Sequence, residues 1–95
     1  MNTQLKQLAN LFGLQYTTIQ SDVSWEGLPT TIHSFLHTSK DVYGDLHFVS
    51  LTFVETDGWV SIMYGTPDVF PMSTAADKLR VWCNLYGIME GNYDI

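Results

Sequence analysis

The side chains that could do chemistry in this chain are His33, His37 and His47, the lone Cys83, and the acids Asp41, Asp45, Asp68 and Asp77. Metal ligation is the first possibility. His33 and His37 are four residues apart in a stretch, residues 30–38, that reads as a strand. On a strand they share a face but stand roughly 13 Å apart, at ~3.3 Å per residue. One zinc ion cannot take both directly at bond lengths near ~2.1 Å. Cross-strand pairing of His37 with His47 would bring two imidazoles together, with no third ligand in sight. Nucleophilic catalysis fares no better. Cys83 falls on the apolar stripe of a helix, where a thiol is buried and inert. No Gly-x-Ser-x-Gly context surrounds a serine, and the glycines Gly58, Gly65, Gly87 and Gly91 are isolated turn residues rather than a phosphate-cradling loop. The loop from Asp41 to Asp45 lacks the ligand spacing of a calcium loop. No metal, cofactor or catalytic residue is expected.

Charge is more informative. Ten Asp and Glu stand against four Lys and Arg, a formal charge of −6. Six of the acids (Asp41, Asp45, Glu55, Asp57, Asp68, Asp77) lie between positions 41 and 77, where there is no Lys or Arg. Binding to a nucleic-acid backbone needs clustered cations that displace counterions, so direct nucleic-acid binding is not expected. The electrostatic complement of this chain is a basic protein surface. Topology is expected to gather Asp41, Asp45 and Asp68, with Asp77 nearby, at one end of a sheet. Four acids are sparse beside a duplex, which carries roughly one charge per 1.7 Å of axis, so a local acidic knob is expected rather than full mimicry of DNA.

A hairpin must position these groups. Asp57-Gly58 sits between two runs rich in Val, Phe, Ile, Thr and Trp, and Asp-Gly is a favoured two-residue type I′ turn. With those residues as the loop, Thr56 faces Trp59, Phe53 faces Ile62 and Leu51 faces Tyr64. One face then carries Val49, Leu51, Phe53, Val60, Ile62 and Tyr64 and reads as core. The other carries Phe48, Ser50, Thr52, Val54, Trp59, Ser61 and Met63, mixing hydroxyls with large apolar groups as a partner-binding face would.

The remaining elements are few. Leu5, Leu8, Ala9 and Phe12 recur at helical spacing, so residues 3–12 form a short amphipathic helix capped by Asn2 or Thr3 and stopped by Gly13. Residues 14–20 read as a strand, 21–29 as a loop carrying Trp25, and 39–45 as a polar turn. Residues 66–72, with two prolines, read as a connector. A last helix spans 74–86. Ser73 or Thr74 caps it, with Asp77 as a weak capping box, and Ala76, Leu79, Cys83 and Tyr86 form its stripe. Gly87 stops it, and residues 88–95 form a last edge strand or a loose tail. The order α-β-β-β-β-α implies one α+β domain with a four-stranded antiparallel sheet and both helices on one face.

Ninety-five residues with 45% hydrophobic content suffice for one core, and a single cysteine precludes an internal disulfide. No basic stretch followed by an apolar run opens the chain, and no apolar run is long enough for a bilayer, so a cytoplasmic protein, or one in a host cytoplasm if virus-encoded, is expected. The leading functional expectation is a small acidic inhibitor that blocks a larger basic partner protein, one that binds nucleic acid included, in the manner of toxin-immunity or phage anti-defence proteins. Its anchors would be Phe48, Trp59 and Met63, and its charges Asp41, Asp45 and Asp68. The alternative is a self-assembling or chaperone-like module, such as a homodimer, that uses the mixed hairpin face. A third is a small enzyme using His33, His37 and His47.

Overall fold

The computed structural model describes residues 2–21, 27–65 and 68–91. Its order is α1 (Thr3–Leu11), β1 (Gln15–Ser21), β2 (Thr30–Lys40), β3 (Leu46–Thr56), β4 (Trp59–Ile62), β5 (Val69–Pro71), a 3-10 turn (Met72–Thr74) and α2 (Ala75–Leu85). Asn2 caps α1, its side-chain oxygen accepting the Leu5 amide at 3.0 Å. Both helices end alike. Gly13 and Gly87 each take φ 68°, the left-handed conformation that glycine adopts without penalty. The amide three residues past the end of each helix then reaches back five residues, Leu14 to Ala9 and Ile88 to Cys83, both at 2.8 Å. Leu14 and Ile88 are themselves buried, so each stop also seats an apolar side chain in the core. At α2 the expected capping box is not formed. Thr74 donates its hydroxyl to the Pro71 carbonyl at 2.8 Å, closing the 3-10 turn instead.

The sheet is an antiparallel meander in the order β1-β2-β3-β4-β5. It has five strands, not the four expected. The fifth lies where residues 66–72 read as a connector: Val60 pairs with Phe70 and Trp59 with Pro71. Three residues ending in proline carry almost no strand signal, and only at a sheet edge is such a proline tolerated. The β3–β4 turn forms as expected, with Asp57 at φ 53° and Gly58 at φ 79°. Thr56 faces Trp59 and Phe53 faces Ile62. The ladder then ends. Tyr64 takes φ 59° and is fully exposed, so it faces no Leu51 and does not join the core.

Both helices pack on one side of the sheet. Leu5, Leu8, Ala9 and Phe12 meet Ala75, Leu79, Cys83 and Ile88 above Phe35, Leu51, Phe53, Val60 and Phe70. Beneath them runs an aromatic row with rings from four of the five strands, β1, β2, β3 and β5. Tyr16 stacks on Phe35 at 4.8 Å, Phe35 meets Phe53 edge-on at 5.5 Å, and Phe53 meets Phe70 at 5.6 Å. Such offset and edge-on pairs add directional preference to the burial of the rings. No helix among the described residues is long and apolar enough to cross a membrane.

Candidate interaction surface

The register fixes what the other side of the sheet carries. Thr17, Ser34 and Thr52 form one row across three strands, and Ile19, Ile32, Val54, Ser61 and Val69 form the next across all five. Phe48 opposite Thr38 and Trp59 opposite Thr56 complete the face towards its two ends. Phe48 is 59% exposed and Trp59 55%. Met63 donates its amide to the Thr52 carbonyl at 2.9 Å and is also exposed, at the end of β4. Among the described strand residues of this open face, the single charged side chain is Lys40, at its far end. The acids stand around it: Asp57 at the hairpin turn, Asp68 beside the edge strand, and Asp41 and Asp45 at the opposite end. A neutral centre with aromatic groups and a charged rim is the composition of protein interfaces.

Beyond Leu36 on β2 and Phe53 on β3, no other strand of the described residues lies beside them, because β1 begins opposite Leu36 and β4 ends opposite Phe53. Residues 37–50 therefore form a two-stranded arm. Asp41 builds its turn. One carboxylate oxygen accepts the amides of Tyr43 at 2.8 Å and Asp45 at 3.0 Å, and the other meets His47 Nε2 at 2.8 Å. The His47 bond, followed by those amides, holds the Asp41 carboxyl below its ordinary value. The expected grouping of acids is not assembled. Asp41 and Asp45 are together at the arm's tip, but Asp68 sits next to Val69 at the level of Ser61 and Val54. That is some eight residues along β3 from Leu46, or about 26 Å at ~3.3 Å per residue. Asp77 lies exposed in the first turn of α2.

The histidines are dispersed as well. His37 pairs with Val49 and Ser39 with His47, so the two imidazoles are not opposite one another. Among the described residues, no three His, Cys, Asp or Glu are grouped to hold a metal ion. Cys83 is fully buried, and burial pushes its thiol up to about 11 despite the nearby Arg80.

One constellation escapes a reading of spacing alone. His33, only 2% exposed, lies on the helix-facing side of β2 between Tyr16 and Glu55. Tyr16 Oη is 2.6 Å from His33 Nδ1, and His33 Nε2 is 2.8 Å from Glu55 Oε1. An ionised Glu55 only accepts, so Nε2 carries a proton towards it, and in the neutral imidazole Nδ1 then accepts from the tyrosine hydroxyl. Burial pushes the Tyr16 phenol above its ordinary value, the Asn2 amide working against the rise and Glu55 adding to it. A raised phenol is a poor nucleophile. The network is a polar strut tying β1, β2 and β3 together, with every buried side-chain polar atom of the described residues satisfied. Compared by sequence with protein families and curated proteins, and by fold with solved structures, the chain finds no match.

Proposed function

We propose that this chain is a small acidic binding protein that docks its open sheet face on a larger protein with a basic surface and blocks it, as toxin-immunity and phage anti-defence proteins do. The observation that carries the reading is the neutral face itself. Thr, Ser, Ile and Val rows lie between exposed Phe48 and Trp59, uncovered by either helix and ringed by Asp41, Asp45, Asp57 and Asp68. Aromatic anchors at such a centre dominate binding energy, while rim charges steer approach. Three of the four Lys and Arg residues (Lys6, Lys78 and Arg80) are on the helices, away from this face. A basic partner therefore meets little repulsion there. The assignment to a cytoplasm, of the cell or of a host, belongs to the same proposal.

The test is capture from the native host by tagged wild type and by Trp59→Ala, with the mass of the retained complex measured. A stoichiometric complex that Trp59→Ala weakens tenfold or more, while Val81→Ala on the exposed side of α2 does not, is the expected result. Equal retention by Trp59→Ala and wild type would remove the open face from the reading.

A further inference from the structure

β3 is eleven residues long and β4 only four, so the sheet has a notch beside β3 where β4 stops short. The notch is lined by Ser50, Leu51, Ile62, Met63, Tyr64 and, on α2, by Trp82, Leu85 and Tyr86, with no charged side chain among them. Its long wall is a strand edge. The Thr52 carbonyl accepts from Met63 on the β4 side. Along a strand the N–H and C=O groups of alternate residues point the same way, so Leu46, Phe48 and Ser50 also aim theirs away from β2, Ser50 into the notch and the other two along the edge that leads from it. Exposed strand edges are normally blunted by lysine, proline or inward charge. From Leu46 to Val54 the sequence LHFVSLTFV has no Lys, no Pro and no acid. Among the described residues, the notch and the strand edge leading from it thus offer an apolar, strand-sized site with three unpaired backbone positions.

We propose that a second copy of this chain fills it, β3 pairing antiparallel with β3 about a twofold axis through Phe48. Three features of the chain select its own copy. In this register the backbone groups of Leu46 face those of Ser50 and Phe48 faces itself, so all three open sites are used on both copies. The turn of each arm then arrives at the closed end of the other's notch, bringing exposed Val42 and Tyr43 to Met63, Tyr64 and Leu85. The two Asp45 residues stand six residues apart along the joined strands, about 20 Å at ~3.3 Å per residue. That is beyond the screening length of roughly 8 Å at physiological salt, so two acidic arms pack without strong repulsion. A basic peptide, in contrast, finds no carboxylate in the cleft to pair with. A twofold contact closes on itself rather than growing into a fibre. Both open faces remain free, joined edge to edge in one continuous sheet, whether or not a basic partner binds them.

Sedimentation velocity and native mass measurement on the full chain at micromolar concentration test the pairing. The wild type is expected to be a dimer. Ser50→Pro deletes an amide that points into the notch and none that pairs with β2, so it should give a folded monomer. Leu85→Lys, at a site 78% exposed in the single chain, should weaken the dimer at least tenfold. Asn84→Lys, which makes the same charge change outside the notch, should leave it intact. Amide exchange at Leu46, Phe48 and Ser50 should be slow in the wild type, and fast at Leu46 and Phe48 in Ser50→Pro. A monomeric wild type overturns the proposal. So does a dimer indifferent to Leu85→Lys, or one in which the Leu46 and Phe48 amides exchange freely.

Discussion

Three residues tie neighbouring strands of the sheet together by hydrogen bonds between their side chains. Tyr16, His33 and Glu55 come from three strands: removing Tyr16 or Glu55 takes a partner from the buried His33 ring, and removing His33 takes one from the half-buried Tyr16 hydroxyl and Glu55 carboxylate. Tyr16→Phe and His33→Leu should each cost about 1–3 kcal/mol in urea unfolding, the usual penalty for such an orphan. The raised Tyr16 phenol fixes the sign of its pH dependence. Its neutral form is favoured by folding, so its stabilisation is complete below its ordinary value of 10.0 and is lost as pH rises through the higher folded value. The gap in stability between wild type and Tyr16→Phe should therefore narrow above about pH 10. This network was partly legible. His33 is in phase with Phe35 and Glu55 with Phe53, so alternation places both inward, but no spacing rule announces that they meet across a diagonal. Tyr64 was misplaced for a local reason: alternation continued through it, while the backbone turned. Because it holds φ 59° with its ring in solvent, Tyr64→Gly should stabilise the single chain by a few tenths of a kcal/mol to about 1 kcal/mol, read as a rise in the urea midpoint.

The elements read from the sequence were those with redundant signals. The two helices have apolar stripes and glycine stops, and the β3–β4 hairpin has Asp-Gly between alternating runs, so each was visible twice over. β5 has one buried residue, Phe70, and a proline, and is held by its neighbours rather than by its own propensity. The open face was legible because the hairpin register decides it, yet the arm was not. Its existence depends on where β1 and β4 end, and a chain read locally does not show how far partner strands extend. A two-stranded ribbon is marginal in water unless something holds its turn or its edge. In the arm, Asp41 holds the turn through two amides and His47. Asp41→Ala should therefore speed amide exchange throughout residues 37–50 while leaving Phe53 and Val60 protected and the melting temperature little changed. The body of the sheet behaves differently. Phe53→Ala, which empties a fully buried site in the aromatic row, should cost about 3–5 kcal/mol, and half-buried Ile62 less.

At the scale of the whole molecule, a neutral face is set within an acidic protein. The acids that the sequence suggested would cluster are instead distributed, Asp41 and Asp45 at one end of the sheet and Asp57 and Asp68 towards the other. They act through the field of the whole chain, with its formal charge of −6, rather than as a knob. Such a field speeds encounter with a basic surface and is screened by salt, while in the proposed complex short-range contacts of Trp59 and Phe48 would govern how long it lasts. The two contributions separate in one experiment: association and dissociation of the captured partner at low and high salt, for wild type, for Asp41, Asp45 and Asp68 changed together to Asn, and for Trp59→Ala. At position 41 asparagine keeps an oxygen for the Tyr43 and Asp45 amides and replaces the one that meets His47, so the triple variant changes charge and that one contact. The account predicts that the triple variant associates about tenfold more slowly at low salt with nearly unchanged dissociation. It predicts that Trp59→Ala dissociates at least about tenfold faster. Association that ignores both salt and the three aspartates, together with dissociation that ignores Trp59, would contradict it.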